Sequence, residues 1–358
     1  MPLPEAILAL TEALSIEREP PIMKIAVFEL EEWERDVFDE FSSEHELILS
    51  HETLDADNVH NYTDVDIVSV FIYSELDTEV LEQFQNLKMI ATRSTGYDHI
   101  DTEYCEEHDI TVANVPTYGD TTVAEHVFGL LLAISHNLVE AADRTRRGDF
   151  SLQGLQGFDL RDKTLGVVGT GSIGLCVISI AKGFGMHVVA YDIQQDEEAA
   201  RELGFRYVSF DDLLANSDVI TLHVPSNRHT RHIISHDALS KVKRGVVLIN
   251  TARGPLVDSH ALVEALANGT VRAAGLDVLP EEPSIREEAE LLRSLYREEH
   301  DLRSLLADHI LLRMRNVIIT PHSAFFTREA VERILETTVE NIRSYIESVS
   351  ETEGIPAK

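Results

Sequence analysis

Short apolar, β-branched runs alternate with longer amphipathic stretches along most of the chain. In its first part these runs predict strands at Lys24–Glu29, Leu47–Ser50, Ile67–Phe71, Met89–Thr92 and Thr111–Val115. In its second part they predict strands at Thr164–Gly169, His187–Asp192, Val219–Val224, Val246–Asn250, Ala273–Val278 and Asn316–Thr320. Runs apolar on both faces are what a parallel sheet covered by helices requires. Their alternation with helical stretches argues for doubly wound α/β units. A length of 358 residues suggests about two domains of ~150 residues. The expected fold is therefore α/β, with two doubly wound parallel-sheet, Rossmann-like domains. Between the two sets, Val123–Arg144 is apolar at Val127, Leu130, Leu131, Ile134 and Leu138 and predicts one connecting helix. Thr327–Ile346 predicts another helix, and Ser284–Arg315 reads as a long, acidic helical insertion. Residues 1–22 read as an extension, with Met23 opening the first strand.

Composition narrows the function classes. The chain is 44% hydrophobic, which excludes intrinsic disorder despite a net charge of −33. That field repels a phosphate backbone and an anionic membrane surface, so neither nucleic acid nor membrane is an expected partner. The longest apolar runs, such as Val127–Ile134, fall far short of the ~20 residues a bilayer span needs. The first 21 residues carry Glu5, Glu12, Glu17 and Glu19 and no basic n-region, unlike a secretory signal. Two cysteines, Cys105 and Cys176, make no disulfide framework and point to a reducing cytoplasm. No His/Cys/Asp cluster has metal-ligand spacing. Only seven lysines accompany 23 arginines. Such an acidic, lysine-poor surface suits multimolar salt, where the screening length shortens to ~3 Å and self-repulsion costs little.

The strongest local signal is Gly169-Thr170-Gly171-Ser172-Ile173-Gly174, which follows the strand at Thr164 directly and enters a helix. Gly169 suits the tight turn, Gly171 lets the backbone approach a pyrophosphate, and Gly174 lets helix and strand pack closely. The helix start then offers free N–H groups to the phosphates. A GxGxxG alone is weak evidence. Here a second strand ends in Asp192, 18 residues after Gly174, where an acid meets the adenosine ribose hydroxyls. Asp192 repels a 2′-phosphate and Ile193, Gln194 and Gln195 supply no arginine, so the expected cofactor is NAD, not NADP.

Three candidates for chemistry lie at apparent strand ends, where ligands bind in open α/β sheets. Arg253 follows Val246–Asn250, Glu282 follows the Gly275-Leu276-Asp277-Val278 run, and His322 follows Asn316–Thr320 through Pro321. A guanidinium binds a carboxylate bidentately, an imidazole exchanges a proton near neutrality, and a carboxylate holds that imidazole oriented and charged. Each residue alone has a bland reading as a solvated surface group, and for a single one of 16 histidines that reading wins. Three at the ends of one sheet that already carries a nucleotide motif reverse the odds.

These segments, in this order, resemble the D-isomer-specific 2-hydroxyacid dehydrogenases, and within them the D-lactate dehydrogenase branch. The likeness runs from about Lys24 to Ile346. It rests on Ser94-Thr95-Gly96-Tyr97-Asp98-His99-Ile100-Asp101, Val123-Ala124-Glu125-His126, the glycine loop, Asn250-Thr251-Ala252-Arg253-Gly254, Gly275-Leu276-Asp277-Val278 with Glu282-Pro283, and Thr320-Pro321-His322. The resemblance implies an Arg253–Glu282–His322 catalytic set. It implies that Thr95 and Gly96 hold the substrate carboxylate by their backbone, and that Tyr118 and Phe325 line the pocket. Asp277 takes the position that binds the nicotinamide carboxamide. Ser172, Ile173, His223, Val224, Pro225, Thr251 and Ala252 join Gly169, Gly171, Gly174 and Asp192 as cofactor contacts. The implied layout has a substrate domain of residues 23–115 plus 327–358, an NAD-binding domain of 116–326, a cleft between them, and a homodimer formed through the NAD-binding domain. The implied reaction interconverts a short 2-oxo acid and its D-2-hydroxy acid, with pyruvate and D-lactate leading. Hydroxyisocaproate, glycerate or phosphite chemistry, or a dinucleotide-dependent corepressor role, stand as alternatives within the same family.

Overall fold

The structure is a computed structural model that describes residues 22–280 and 302–353. Two all-parallel sheets organise it. The first comprises β1 (Lys24–Val27), β2 (Glu46–Leu49), β3 (Ile67–Val70), β4 (Met89–Thr92) and β5 (Thr111–Ala113), in the order β2-β1-β3-β4-β5. The second comprises β6 (Thr164–Val168), β7 (His187–Tyr191), β8 (Arg206–Tyr207), β9 (Val219–Leu222), β10 (Val246–Asn250), β11 (Val271–Leu276) and β12 (Val317–Ile319), in the order β12-β11-β10-β9-β6-β7-β8. The interior strands β3, β4, β9 and β10 are buried at every position, which is why their sequences read as unbroken apolar runs. The α/β, doubly wound expectation holds, and each of the eleven predicted strands is present. The twelfth, β8, is two residues long and pairs with β7 through Val189–Arg206 and Ala190–Tyr207. With so short a run and one exposed arginine it carries no periodicity to read.

The predicted connecting helix is corrected by the structure. Two helices, Asp120–Ser135 and Leu138–Arg146, replace the single span Val123–Arg144 and are bent by 61°. Asn137 sits between them in the left-handed region at φ 51°, a conformation asparagine tolerates better than most residues. The first helix cannot continue because the Ser135 carbonyl accepts the Phe158 N–H at 2.9 Å. Asn137 Nδ2 in turn donates to the Leu155 carbonyl at 3.1 Å.

The chain divides into two compact units. One runs to Pro116 and resumes at Glu332; its core gathers Ala26, Phe28, Val68, Val70 and Ile90 with Leu54, Leu76 and Leu81. At the end of β4 the fully buried Arg93 guanidinium donates to the carbonyls of Phe28 (2.6 Å) and Glu29 (2.9 Å) and to Ser69 Oγ (3.2 Å). The long helix Arg328–Glu353 is tied to this unit by Asn341 Nδ2 donating to the Asn114 carbonyl and by an Arg343–Glu40 ion pair. The other unit, Thr117–Val331, packs helices on both faces of the seven-stranded sheet. Val127, Leu131, Val177 and Ile178 cover one face, and Leu213, Leu239, Leu262 and Leu266 the other. Strand order reverses between β6 and β9, which leaves a crevice at their carboxyl ends. Among the described residues no single helix is long and apolar enough to cross a membrane.

Candidate active site

The glycine loop lies at that reversal point, between the end of β6 and the helix Ser172–Gly183. Gly169 has φ 98°, and a Cβ there would stand 2.5 Å from the His223 carbonyl oxygen. A Cβ on Gly174 would stand 2.1 Å from the Gly169 oxygen, so helix and loop touch backbone to backbone. Around Gly171, by contrast, nothing lies within 4 Å of the Cβ position. Gly171 is the N-cap, with no side chain to cap the first turn. Open space faces the start of the Ser172–Gly183 helix, at Ser172 and Ile173, as a pyrophosphate site requires.

Asp192 stands beside this loop. Its Oδ2 accepts the Thr170 N–H at 2.7 Å and the Thr170 hydroxyl at 3.1 Å, while Oδ1 accepts the Gln194 N–H at 2.9 Å. Partial burial would raise its pKa, but these donors outweigh it and hold the carboxyl below its usual range. Thr170 is anchored from behind, its hydroxyl 2.9 Å from Tyr207 Oη. Across the crevice, Nε2 of the half-buried His223 lies 2.9 Å from Thr221 Oγ1. Desolvation pushes the His223 imidazole down to about 3, so it is neutral at neutral pH. Val224 flanks the Gly169 turn, and Pro225 follows it. The residues present fit a dinucleotide.

Arg253, Asp277 and His322 follow three adjacent strands, β10, β11 and β12. The buried Asn250 side chain shapes the first turn, accepting the Ala252 N–H at 3.1 Å and donating to the Arg253 carbonyl at 2.9 Å. Within this turn the Thr251 hydroxyl is buried and has no hydrogen-bond partner among the described residues. The Asp277 carboxylate, fully shielded from solvent, accepts from Thr320 Oγ1 (2.5 Å), Ser323 N (2.9 Å) and Ala324 N (2.8 Å). Burial would raise its pKa, yet donors including His126 outweigh it and keep the group ionised. The Asp277 carbonyl accepts the His322 N–H at 2.9 Å. His322 itself has φ 51°, a left-handed conformation that costs a non-glycine residue ~1–2 kcal/mol. Phe325 packs edge to face with the His322 ring at 6.5 Å and with Tyr118 at 6.3 Å.

The structure thus gathers His322, Asp277, Phe325 and Tyr118 at one place, with Arg253, Thr251 and Ala252 on the neighbouring strand end. Thr95 and Gly96 belong to the first unit, in the turn after β4. There Thr95 Oγ1 donates to the Val115 carbonyl (2.9 Å) and Ser94 Oγ to the Gly96 carbonyl (2.7 Å). Glu282 lies outside the described residues, as do residues 1–21 and the 284–301 part of the insertion; the remainder includes a helix at Leu302–Leu311.

Residues 128–324 match the family model described as the D-isomer specific 2-hydroxyacid dehydrogenase, NAD binding domain. The chain belongs to the D-isomer-specific 2-hydroxyacid dehydrogenases. It is 34% identical to the D-lactate dehydrogenase of Escherichia coli over 332 residues, covering 89% of this chain and 96% of that protein. It is 35% identical to the aromatic 2-oxoacid reductase of Clostridium sporogenes over 331 residues, covering 90% and 96%. Among solved structures it is similar to the D-lactate dehydrogenase of Aquifex aeolicus complexed with NAD and lactic acid, with a TM-score of 0.83 at 36% identity, covering 93% of this chain and 97% of that one. This 2-hydroxyacid dehydrogenase is therefore an NAD-dependent enzyme.

Several residues of the site carry no role in the sequence reading. Thr170 and Tyr207 brace Asp192 across 37 residues, a contact that depends on the short strand β8. Asn250 and Thr320 sit inside recognised motifs, but only their hydrogen bonds reveal what they hold. His126 is a polar residue on a helix whose buried side is mostly apolar, a signal that spacing alone leaves without a partner.

Proposed function

We propose that this dehydrogenase interconverts a short 2-oxo acid and its D-2-hydroxy acid, with pyruvate and D-lactate as its preferred pair. The observation that carries this reading is the Tyr118–Phe325–His322 aromatic contact, which sets aromatic bulk beside the imidazole and on this reading favours a methyl group over a long side chain. NAD supplies or takes the hydride when bound. Gly169, Gly171, Gly174 and the Ser172–Ile173 N–H groups would hold its pyrophosphate, Asp192 its ribose, and His223, Val224 and Pro225 the far wall of the crevice. Thr251 and Ala252 would face the nicotinamide side, with the shielded Asp277 carboxylate behind them holding Thr320, Ser323 and Ala324 in place. Arg253 would bind the substrate carboxylate and polarise the ketone, aided by the Thr95 and Gly96 backbone. A ring nitrogen of His322 would hold the proton that the carbonyl oxygen receives, and Glu282 would keep that imidazole oriented and charged.

In this reading residues 23–115 with 327–358 serve the substrate, and residues 116–326 serve the cofactor. The enzyme is a homodimer through its NAD-binding domain, where Leu138, Val139, Phe150 and Leu152 are each more than half exposed. It works in a reducing cytoplasm at high salt, in keeping with two free cysteines and the acidic composition. A steady-state panel of pyruvate, 2-oxoisocaproate and phenylpyruvate with NADH and NADPH tests the substrate assignment. Pyruvate with NADH is expected to give the highest kcat/KM. A preference for phenylpyruvate would show the pocket to be larger than the aromatic pair allows, and would overturn the lactate reading.

A further inference from the structure

The Asp277 carboxylate receives three of its donors from the segment that carries His322, namely Thr320, Ser323 and Ala324. Among the described residues one donor comes from elsewhere. His126, on the helix Asp120–Ser135, places Nε2 3.0 Å from Thr320 Oγ1 and 3.4 Å from Asp277 Oδ1. The directions are self-consistent. The Thr320 hydroxyl has one proton and gives it to Asp277, so it accepts from His126; the chain therefore runs His126 Nε2–H to Thr320 Oγ1–H to Asp277 Oδ1. Asp277 returns the support through its carbonyl, which accepts the His322 N–H at 2.9 Å while His322 is held at φ 51°.

We propose that His126 is a positioning residue for His322: it anchors the Thr320–Asp277 pair to a buried helix and so fixes the left-handed turn that aims the His322 ring. Three features make this more than packing. Asp277 is fully shielded from solvent, so no water replaces a lost donor. Thr320 is two residues from His322, so a shift of its side chain moves the strained turn directly. Helix Asp120–Ser135 is itself fixed by Val127, Leu130 and Leu131 in the core, which makes His126 a rigid post. Misplacement of a reacting group by about 1 Å can cost ~100-fold in rate.

The inference rests on the proposed proton-holding role of His322, and the experiment separates the two. His126→Leu is expected to lower kcat for 2-oxo acid reduction roughly 10- to 100-fold, with NADH affinity and substrate KM within about twofold of the parent enzyme. His126→Gln, whose amide nitrogen reaches the Nε2 position, should recover most of the loss, whereas His126→Asn should not. A cycle of His126→Leu with Thr320→Val should be strongly non-additive. Equal activity of the Gln and Asn variants, additive losses in the cycle, or an unchanged kcat in His126→Leu would each overturn the positioning role. If His126→Leu fails to fold, the Gln and Asn pair still decides. His322→Gln is measured alongside: full activity there removes the reading of His322 itself, whereas an inactive His322→Gln beside an unaffected His126→Leu removes only the present inference.

Discussion

A histidine that stays neutral when folded behaves unlike one free in solution, and His223 is such a residue. Its folded value of about 3 lies below the ordinary ~6.5 because desolvation disfavours the imidazolium. Between those two values the unfolded chain binds the extra proton, so stability rises with pH through that window. The contribution is fully present above about pH 6.5 and is lost as pH falls toward 3. Urea denaturation at pH 7 and pH 5 should therefore show a drop in stability that His223→Gln makes shallower; identical pH slopes for the two proteins would contradict the assignment. Asp277 and Asp192, both held below the usual carboxylate range, act in a lower window, with stability kept above ~4 and lost below it. The two effects are separable by pH.

Among the elements, the break between Asp120–Ser135 and Leu138–Arg146 has the most definite energetics. Asn137 tolerates φ 51°, glycine would too, and a β-branched side chain would not. Both replacements lose the Nδ2 bond to the Leu155 carbonyl, so the backbone effect is the difference between them: Asn137→Val is expected to be about 1–2 kcal/mol, or several degrees of Tm, less stable than Asn137→Gly. Thermal melts of the two variants measure the difference. The same break marks the limit of what the sequence conveys. Apolar spacing at Val127, Leu131, Ile134 and Leu138 is continuous across it, yet Leu138 is more than half exposed, so the spacing does not mark where the buried face ends. The Phe158 N–H on the Ser135 carbonyl, 23 residues away, and the left-handed Asn137 held by Leu155 mark the end of the first helix. The strands and the glycine loop were legible because burial on both faces and turn chemistry are local properties. The support of Asp192 by Thr170 and Tyr207, and of Asp277 by His126, is non-local, and no window of sequence contains both partners.

For the whole molecule, charge dominates. At −33 with seven lysines, repulsion between like charges opposes the folded state at low ionic strength and is screened as salt rises. Stability measured from 0.1 to 3 M KCl is expected to climb steeply, with Tm rising by more than ten degrees; a flat response would remove the case for salt adaptation. Screening has a second effect, since the repulsion that keeps copies apart in dilute buffer also fades. The outermost strands then matter. β2 and β5 are four and three residues long, and β8 and β12 two and three. Each rim offers a stranger too few unpaired amides to latch onto. In brine, where electrostatic distance-keeping is weakest, stubby rims give this enzyme a safeguard against fibrillar stacking that does not depend on charge.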